Sequence, residues 1–135
     1  MTEDEEEPSS QEQGFHLLLM SPQIFATQSL PDVGTVTIGR SSKCVVQIED
    51  PLVSREHARL HVRAAADGLS LSIEDTGSAN GTRVRDAAIK AGEEVKFQVG
   101  EAVIVGSTLM MALPNRASAG PRRLWSHAYF EARVE

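Results

Sequence analysis

The sequence predicts an all-β domain, a sandwich or a barrel, on three observations. From about residue 16 to residue 113 the apolar residues come in short segments of roughly four to seven. Gly, Pro, Asp, Asn and Ser punctuate the gaps between them. No helical periodicity interrupts the series, which leaves strands to pair with strands.

Taken in order, residues 1–14 are rich in Glu, Gln, Ser and Pro and too poor in apolar surface to offset the entropy of ordering them. They are expected to form a disordered acidic tail. Strands are expected over 16–20, 35–38 and 45–48. The clearest strand is 58–63, where Ala58, Leu60 and Val62 alternate with Arg59, His61 and Arg63, as one buried and one solvated face require. Residues 69–74 repeat the alternation, and Asp67-Gly68 between the two runs signals a reversing turn, hence a hairpin. Further strands are expected over 95–99, 102–105 and 108–113. Residues 114–121 are small and polar and read as a linker. Beyond it, Trp125, Ala128, Tyr129 and Ala132 fall at i, i+3, i+4 and i+7 on one face of a helix. That helix either caps the β domain or opens a further domain. The second reading is preferred, because two exposed aromatics need a partner.

The chain of 135 residues has room for one ordinary domain, placed here at 15–113, plus its flanks. Its 41% hydrophobic content supports a packed core, and with only six aromatic residues that core is aliphatic. Cys44, the only cysteine, excludes an internal disulfide framework and any cysteine-based metal site, and points to a reducing, cytoplasmic setting. No run approaches about 18 apolar residues, and the acidic N-terminus is unlike a secretory signal, so no membrane association is expected. Of the net charge of −6, six acidic residues in the first thirteen positions account for all; the remainder holds 13 acidic and 13 basic residues. Local clusters therefore decide what the folded part binds.

Three polar turns carry the chemistry. Thr37-Ile38-Gly39-Arg40-Ser41-Ser42-Lys43 ends one strand; Asp50-Pro51-Leu52-Val53-Ser54-Arg55-Glu56-His57 leads into another; Asp75-Thr76-Gly77-Ser78-Ala79-Asn80-Gly81-Thr82 follows a third. A phosphate ester offers three acceptor oxygens and about −1.5 to −2 charge near neutral pH, which cationic side chains beside hydroxyls and loop amides satisfy. Arg40, Ser41, Lys43, Ser54 and Arg55 supply such donors. The side-chain amide of Asn80 is able to bridge the C=O and N–H of an extended peptide.

Together these turns resemble the forkhead-associated (FHA) family, whose pattern is Gly-Arg, then Ser-x-x-His, then Asn-Gly. Here the pattern reads Gly39-Arg40, Ser54-Arg55-Glu56-His57 and Asn80-Gly81-Thr82. The resemblance implies a two-sheet sandwich with short strands and functional loops at one end, binding phosphothreonine segments of partner proteins without catalysis or cofactor. It implies that Arg40 and Ser54 hold the phosphate, with Arg55 as a second contact, and that Asn80 binds the peptide main chain beside Ala79. Ala79 stands where many relatives have a longer polar side chain. His57 is then structural, and Gly39, Gly81 and Thr82 support the loops. Where relatives continue with Val-Asn-Gly, this chain has Val84-Arg85-Asp86, a departure expected to change the turn type.

Competing readings carry less. Ser54 and His57 with Asp50 or Asp75 as orienting acid would make a nucleophilic triad, but no acyl-transfer motif accompanies them. His16, His57, His61 and His127 lack metal-site spacing. Arg59, His61 and Arg63 have no aromatic residues interleaved for base stacking, so they are read as a solvated sheet face and not a nucleic-acid surface. The alternative function is a phosphate-independent interaction or dimerisation domain of the same fold. Domain order resembles the N-terminal sensor part of bacterial signalling regulators such as sigma-54-dependent transcription activators. The tail reads either as a solubilising segment or, more sharply, as a ligand in cis: Thr2 precedes Glu3, Asp4 and Glu5, and acidic residues after the phosphothreonine fit the resemblance.

Overall fold

A computed structural model describes residues 14–66 and 68–115. The acidic tail with Thr2, Asp67, most of the expected linker and the segment 122–135 lie outside the described residues. Eleven strands run in chain order: β1 Phe15–Ser21, β2 Ile24–Ser29, β3 Gly34–Gly39, β4 Val46–Gln47, β5 Ala58–Ala65, β6 Gly68–Asp75, β7 Thr82–Val84, β8 Ala87–Ala88, β9 Glu94–Phe97, β10 Ala102–Val105 and β11 Thr108–Pro114. They form two sheets, β2-β1-β11-β10-β7-β8 and β4-β3-β5-β6-β9, so the fold is the sandwich and not the barrel.

The alternation that predicts β5 also places it. Ala58, Leu60 and Val62 point into one continuous core with Val36, Ile38, Leu71 and Ile73 of their own sheet and Leu17, Leu19, Val103, Val105 and Met110 of the other. The hairpin of β5 with β6 holds, in register from Ala58↔Asp75 to Ala65↔Gly68. Burial of aliphatic surface, worth roughly 25 cal/mol per Å², is what joins the sheets.

The outer faces of the two sheets differ. On the β4-β3-β5-β6-β9 sheet the outward residues are polar and cross-linked. Arg59 pairs with Glu74 at 3.8 Å, Arg63 pairs with Glu94, and His61 bonds Thr35 Oγ1 at 2.8 Å and Glu74 at 3.1 Å. His61 is only 9% exposed, which corrects its reading as a solvated residue: its neighbours' side chains close over the ring. The bond from Arg63, joined by one from Ser72, holds the Glu94 carboxyl down at about 2. On the other sheet, alternation turns Leu18 and Met20 of β1, Ile104 of β10 and Leu109, Met111 and Leu113 of β11 outward.

Three local expectations are corrected. The strand expected at 45–48 is reduced to Val46–Gln47, parallel to β3, because β3 itself ends at Gly39: the Ile48 N–H takes the Gly39 carbonyl and the chain then turns at Asp50. Strands β2, β7 and β8 were not expected. The departure at Arg85-Asp86 does not change the turn type. Both residues sit in the left-handed region, φ 52° and 65°, the two-residue hairpin geometry that Asn-Gly also favours. Left-handed backbone is unfavourable for residues with a Cβ. Asp86→Gly is therefore expected to stabilise the domain by about 0.5 kcal/mol and raise Tm by about 2–4 °C. Thermal unfolding followed by circular dichroism checks this; an unchanged or lower Tm contradicts it.

Candidate functional site

The three polar turns converge at one end of the sandwich because β3, β4 and β6 all finish there, and the register of the ladders locks the loops together. Gly39 is the pivot: a Cβ there would lie 2.1 Å from Arg55 O, so only glycine lets the first loop lie against the second. That close approach places Arg40 N–H on Ser54 O at 2.9 Å and Ser41 N–H on Arg55 O at 3.2 Å. The Arg40 side chain is steered by its Nε, which donates to Val53 O at 2.9 Å, leaving both Nη groups for another acceptor. Among the described residues no carboxylate pairs with Arg40, Lys43 or Arg55.

The third loop closes on the second through Ser54 and Asn80. Ser54 Oγ accepts from Ala79 N–H at 2.9 Å, so its own proton is free to donate outward. Asn80 Nδ2 donates to Leu52 O at 2.9 Å, which leaves its Oδ1 and its second N–H open. Ala79 contributes its N–H to Ser54, so that donor is already in use. Lys43 and Ser41 lie to one side: with Thr37, Cys44, Glu56, Arg59 and Thr76 they line a cleft of about 210 Å³ that Arg40, Ser54 and Asn80 do not enter. The structure thus groups Arg40, Ser54, Arg55 and Asn80 at the loop crests and sets Ser41 and Lys43 on the flank.

His57 is fully buried beneath this arrangement. Its Nδ1 accepts the Ser54 N–H at 2.9 Å, so Nε2 carries the proton and donates to Gly81 O, also at 2.9 Å. One ring thereby ties the second loop to the third. The ring meets the Ser54 amide and not the Ser54 hydroxyl, so it does not act as a base toward that oxygen. Asp50 and Asp75, the other members of the imagined triad, are occupied elsewhere.

Those two carboxylates are the site residues that sequence reasoning missed in their real roles. Asp50 is buried and accepts from Leu52 N, Ser107 N, Ser107 Oγ and Thr108 Oγ1, at 2.6–2.9 Å. Burial works to raise its pKa, but the bonds from Ser107, Leu52 and Thr108 prevail and hold it at about 2. It pins the start of the Ser54 loop to the β10–β11 turn. Asp75 does the same for the Asn80 loop: burial again opposes, and bonds from Ser78, Thr82 and Gly77 hold its pKa low. Thr82, fully buried, gives its hydroxyl proton to Asp75, and Gly81 adopts φ +88° while presenting its carbonyl to His57. The signal available in the sequence was an Asp at the start of each turn, where its carboxylate caps the amide two residues on and, for Asp75, the next one as well.

Comparison with known proteins agrees with this fold. No match was found among curated proteins. The FHA domain of the CT664 protein from Chlamydia trachomatis superposes with a TM-score of 0.66 at 25% identity, over 78% of this chain and 98% of that one. An FHA domain from an Arabidopsis thaliana hypothetical protein gives 0.66 at 21% identity, over 80% and 91%. The FhaA FHA domain, solved in complex with the intracellular domain of Rv3910, gives 0.59 at 25% identity, over 74% and 100%. The model of the FHA domain family matches residues 36–106, a span that holds all three loops and both buried aspartates, and the chain belongs to that family.

Proposed function

We propose that this domain is a phosphothreonine-dependent protein-interaction module, with Arg40 and Ser54 holding the phosphate, Arg55 as a further cationic contact and Asn80 on the peptide main chain. Ser41 and Lys43 are assigned to the flank of the same ligand. One observation carries the reading: the Arg40 backbone is bonded to Ser54 O while the Arg40 Nη groups and the Ser54 hydroxyl proton remain available as donors. A dianionic ester is the acceptor that such a pair suits, because charge-assisted bonds to phosphate are about twice as strong as neutral ones. Solved relatives support the ligand class. One similar FHA structure comes from work on phosphothreonine-dependent FHA interactions, and the MEK1 FHA domain is solved with a HOP1 phosphothreonine peptide.

Titration calorimetry with one peptide carrying threonine, phosphothreonine or phosphoserine tests the proposal. Phosphothreonine is expected to bind at least about 100-fold more tightly than threonine, two charge-assisted bonds being worth about 1.5–3 kcal/mol each. It is also expected to exceed phosphoserine about fourfold, the value of one buried methyl at about 0.8 kcal/mol. Equal affinity for the phosphorylated and plain peptides would establish the phosphate-independent reading instead. For the tail as ligand, the geometry sets a demand: the described chain begins at Gly14, bonded to Asn115 at the end opposite the loops. Residues 2–14 must therefore run the length of the sandwich, which their reach of about 40 Å allows.

A further inference from the structure

A second set of uncommitted donors lies beside the loop crests, in the flanking cleft of about 210 Å³ that Thr37, Ser41, Lys43, Glu56, Arg59 and Thr76 help to line. Ser41 Oγ accepts the Lys43 N–H and Thr37 Oγ1 accepts the Val45 N–H, both at 3.0 Å. Each of these hydroxyls therefore keeps its own proton for another acceptor, as Ser54 does on the crest. Lys43 has no carboxylate partner among the described residues. Arg59 is half exposed, and its ion pair with Glu74 is 3.8 Å long, beyond hydrogen-bonding distance, so its guanidinium N–H groups are not spent there. Acceptors are fewer. The Thr76 hydroxyl gives its proton to Glu56 O, and the Glu56 carboxylate is the one acid among the lining residues.

We infer that this cleft is a second phosphate site, and that the ligand carries a second phosphorylated residue close to its phosphothreonine. The inference rests on the phosphothreonine reading of the crest. Lys43 and Arg59 beside two free hydroxyl protons repeat the composition of Arg40 and Arg55 beside Ser54. A phosphate ester brings three acceptor oxygens and a charge of about −1.5 to −2, enough to engage four such donor groups, whereas a carboxylate brings two oxygens and a single charge. Two lining cations against Glu56 leave one positive charge, so Glu56 moderates the attraction without reversing it. One peptide reaches both places. Ser41 follows Arg40 and Glu56 follows Arg55, so the cleft adjoins the crest, and four residues of extended peptide advance about 13 Å.

The test is titration calorimetry of the full chain with phosphothreonine peptides in which serine, phosphoserine, aspartate or lysine is placed in turn at each position within about four residues on either side. At one position, or two adjacent ones, phosphoserine is expected to bind about tenfold more tightly than serine, the value of one charge-assisted bond. Arg59→Gln and Lys43→Gln are each expected to cut that gain to about threefold or less, with circular dichroism to show that both remain folded. The gain is read as the ratio of the two peptides on the same variant, so any change in the grip on phosphothreonine cancels. Four results overturn the inference: no gain at any position, a gain spread evenly over all of them, a gain that survives both substitutions, or an equal or larger gain from aspartate or lysine. If phosphothreonine still outbinds threonine in that event, the reading of the crest stands and the cleft alone is wrong. Equal binding of those two peptides overturns the crest and the cleft together.

Discussion

His57→Ala is expected to lower Tm by about 12 °C or more and to weaken phosphopeptide binding at the same time. The ring is fully buried and makes two bonds, one from Ser54 N–H and one to Gly81 O. Its removal leaves a buried donor and a buried acceptor unpaired, at about 1–3 kcal/mol each, and adds a cavity. A total of about 3–5 kcal/mol, in a domain of this size, corresponds to about 12 °C at least. Affinity is expected to fall with stability because the bond lost is the one that fixes Ser54, whose hydroxyl is the proposed donor to the phosphate. Differential scanning calorimetry and peptide titration on the same sample check both halves. An unchanged Tm with reduced affinity would move His57 from support of the loop to contact with the ligand.

The parts of the fold that were legible in the sequence are those where one physical demand acts on many residues. The β5–β6 hairpin is long, one face is buried against the other sheet, and the alternation of Ala58, Leu60 and Val62 with polar residues records this directly. Strand β2 escaped because it lies at a sheet margin. With little of it buried, nothing imposes alternation on Ile24-Phe25-Ala26-Thr27-Gln28-Ser29. Strands β7 and β8 escaped because three and two residues are too few to show a period. At the site, the sequence showed which residues have phosphate-binding chemistry, but not how bonds within the protein divide them. That Ala79 already gives its N–H to Ser54, and that Lys43 lines a separate cleft, depends on contacts between loops more than twenty residues apart. The sequence also offered Asp50 and Asp75 only as acids near a histidine. Their work as anchors of loop amides requires knowing that Ser107 comes back beside Asp50, 57 residues along the chain.

Arg40→Ala and Ser54→Ala are expected to reduce phosphothreonine-peptide affinity by about 10- to 150-fold each, the equivalent of losing about 1.5–3 kcal/mol of charge-assisted bonding. The two differ in their effect on stability. Arg40 is exposed and gives the protein one bond, from Nε to Val53 O, so its removal leaves Tm within about 3 °C of wild type. Ser54 is half-buried and its Oγ accepts from Ala79 N–H, so alanine there also frees the Asn80 loop. With the proposed peptide contact of Asn80 loosened as well, the affinity loss for Ser54→Ala is expected to match or exceed that for Arg40→Ala in spite of the missing charge. Arg40→Lys separates the components: it keeps the charge but cannot give both the Nε bond to Val53 and a forked pair of donors to phosphate. Its affinity should fall between wild type and Arg40→Ala, and its binding should become more sensitive to salt as directional bonds give way to a point charge. If both alanine variants bind the phosphopeptide as the wild type does while remaining folded, the phosphate does not sit between Arg40 and Ser54.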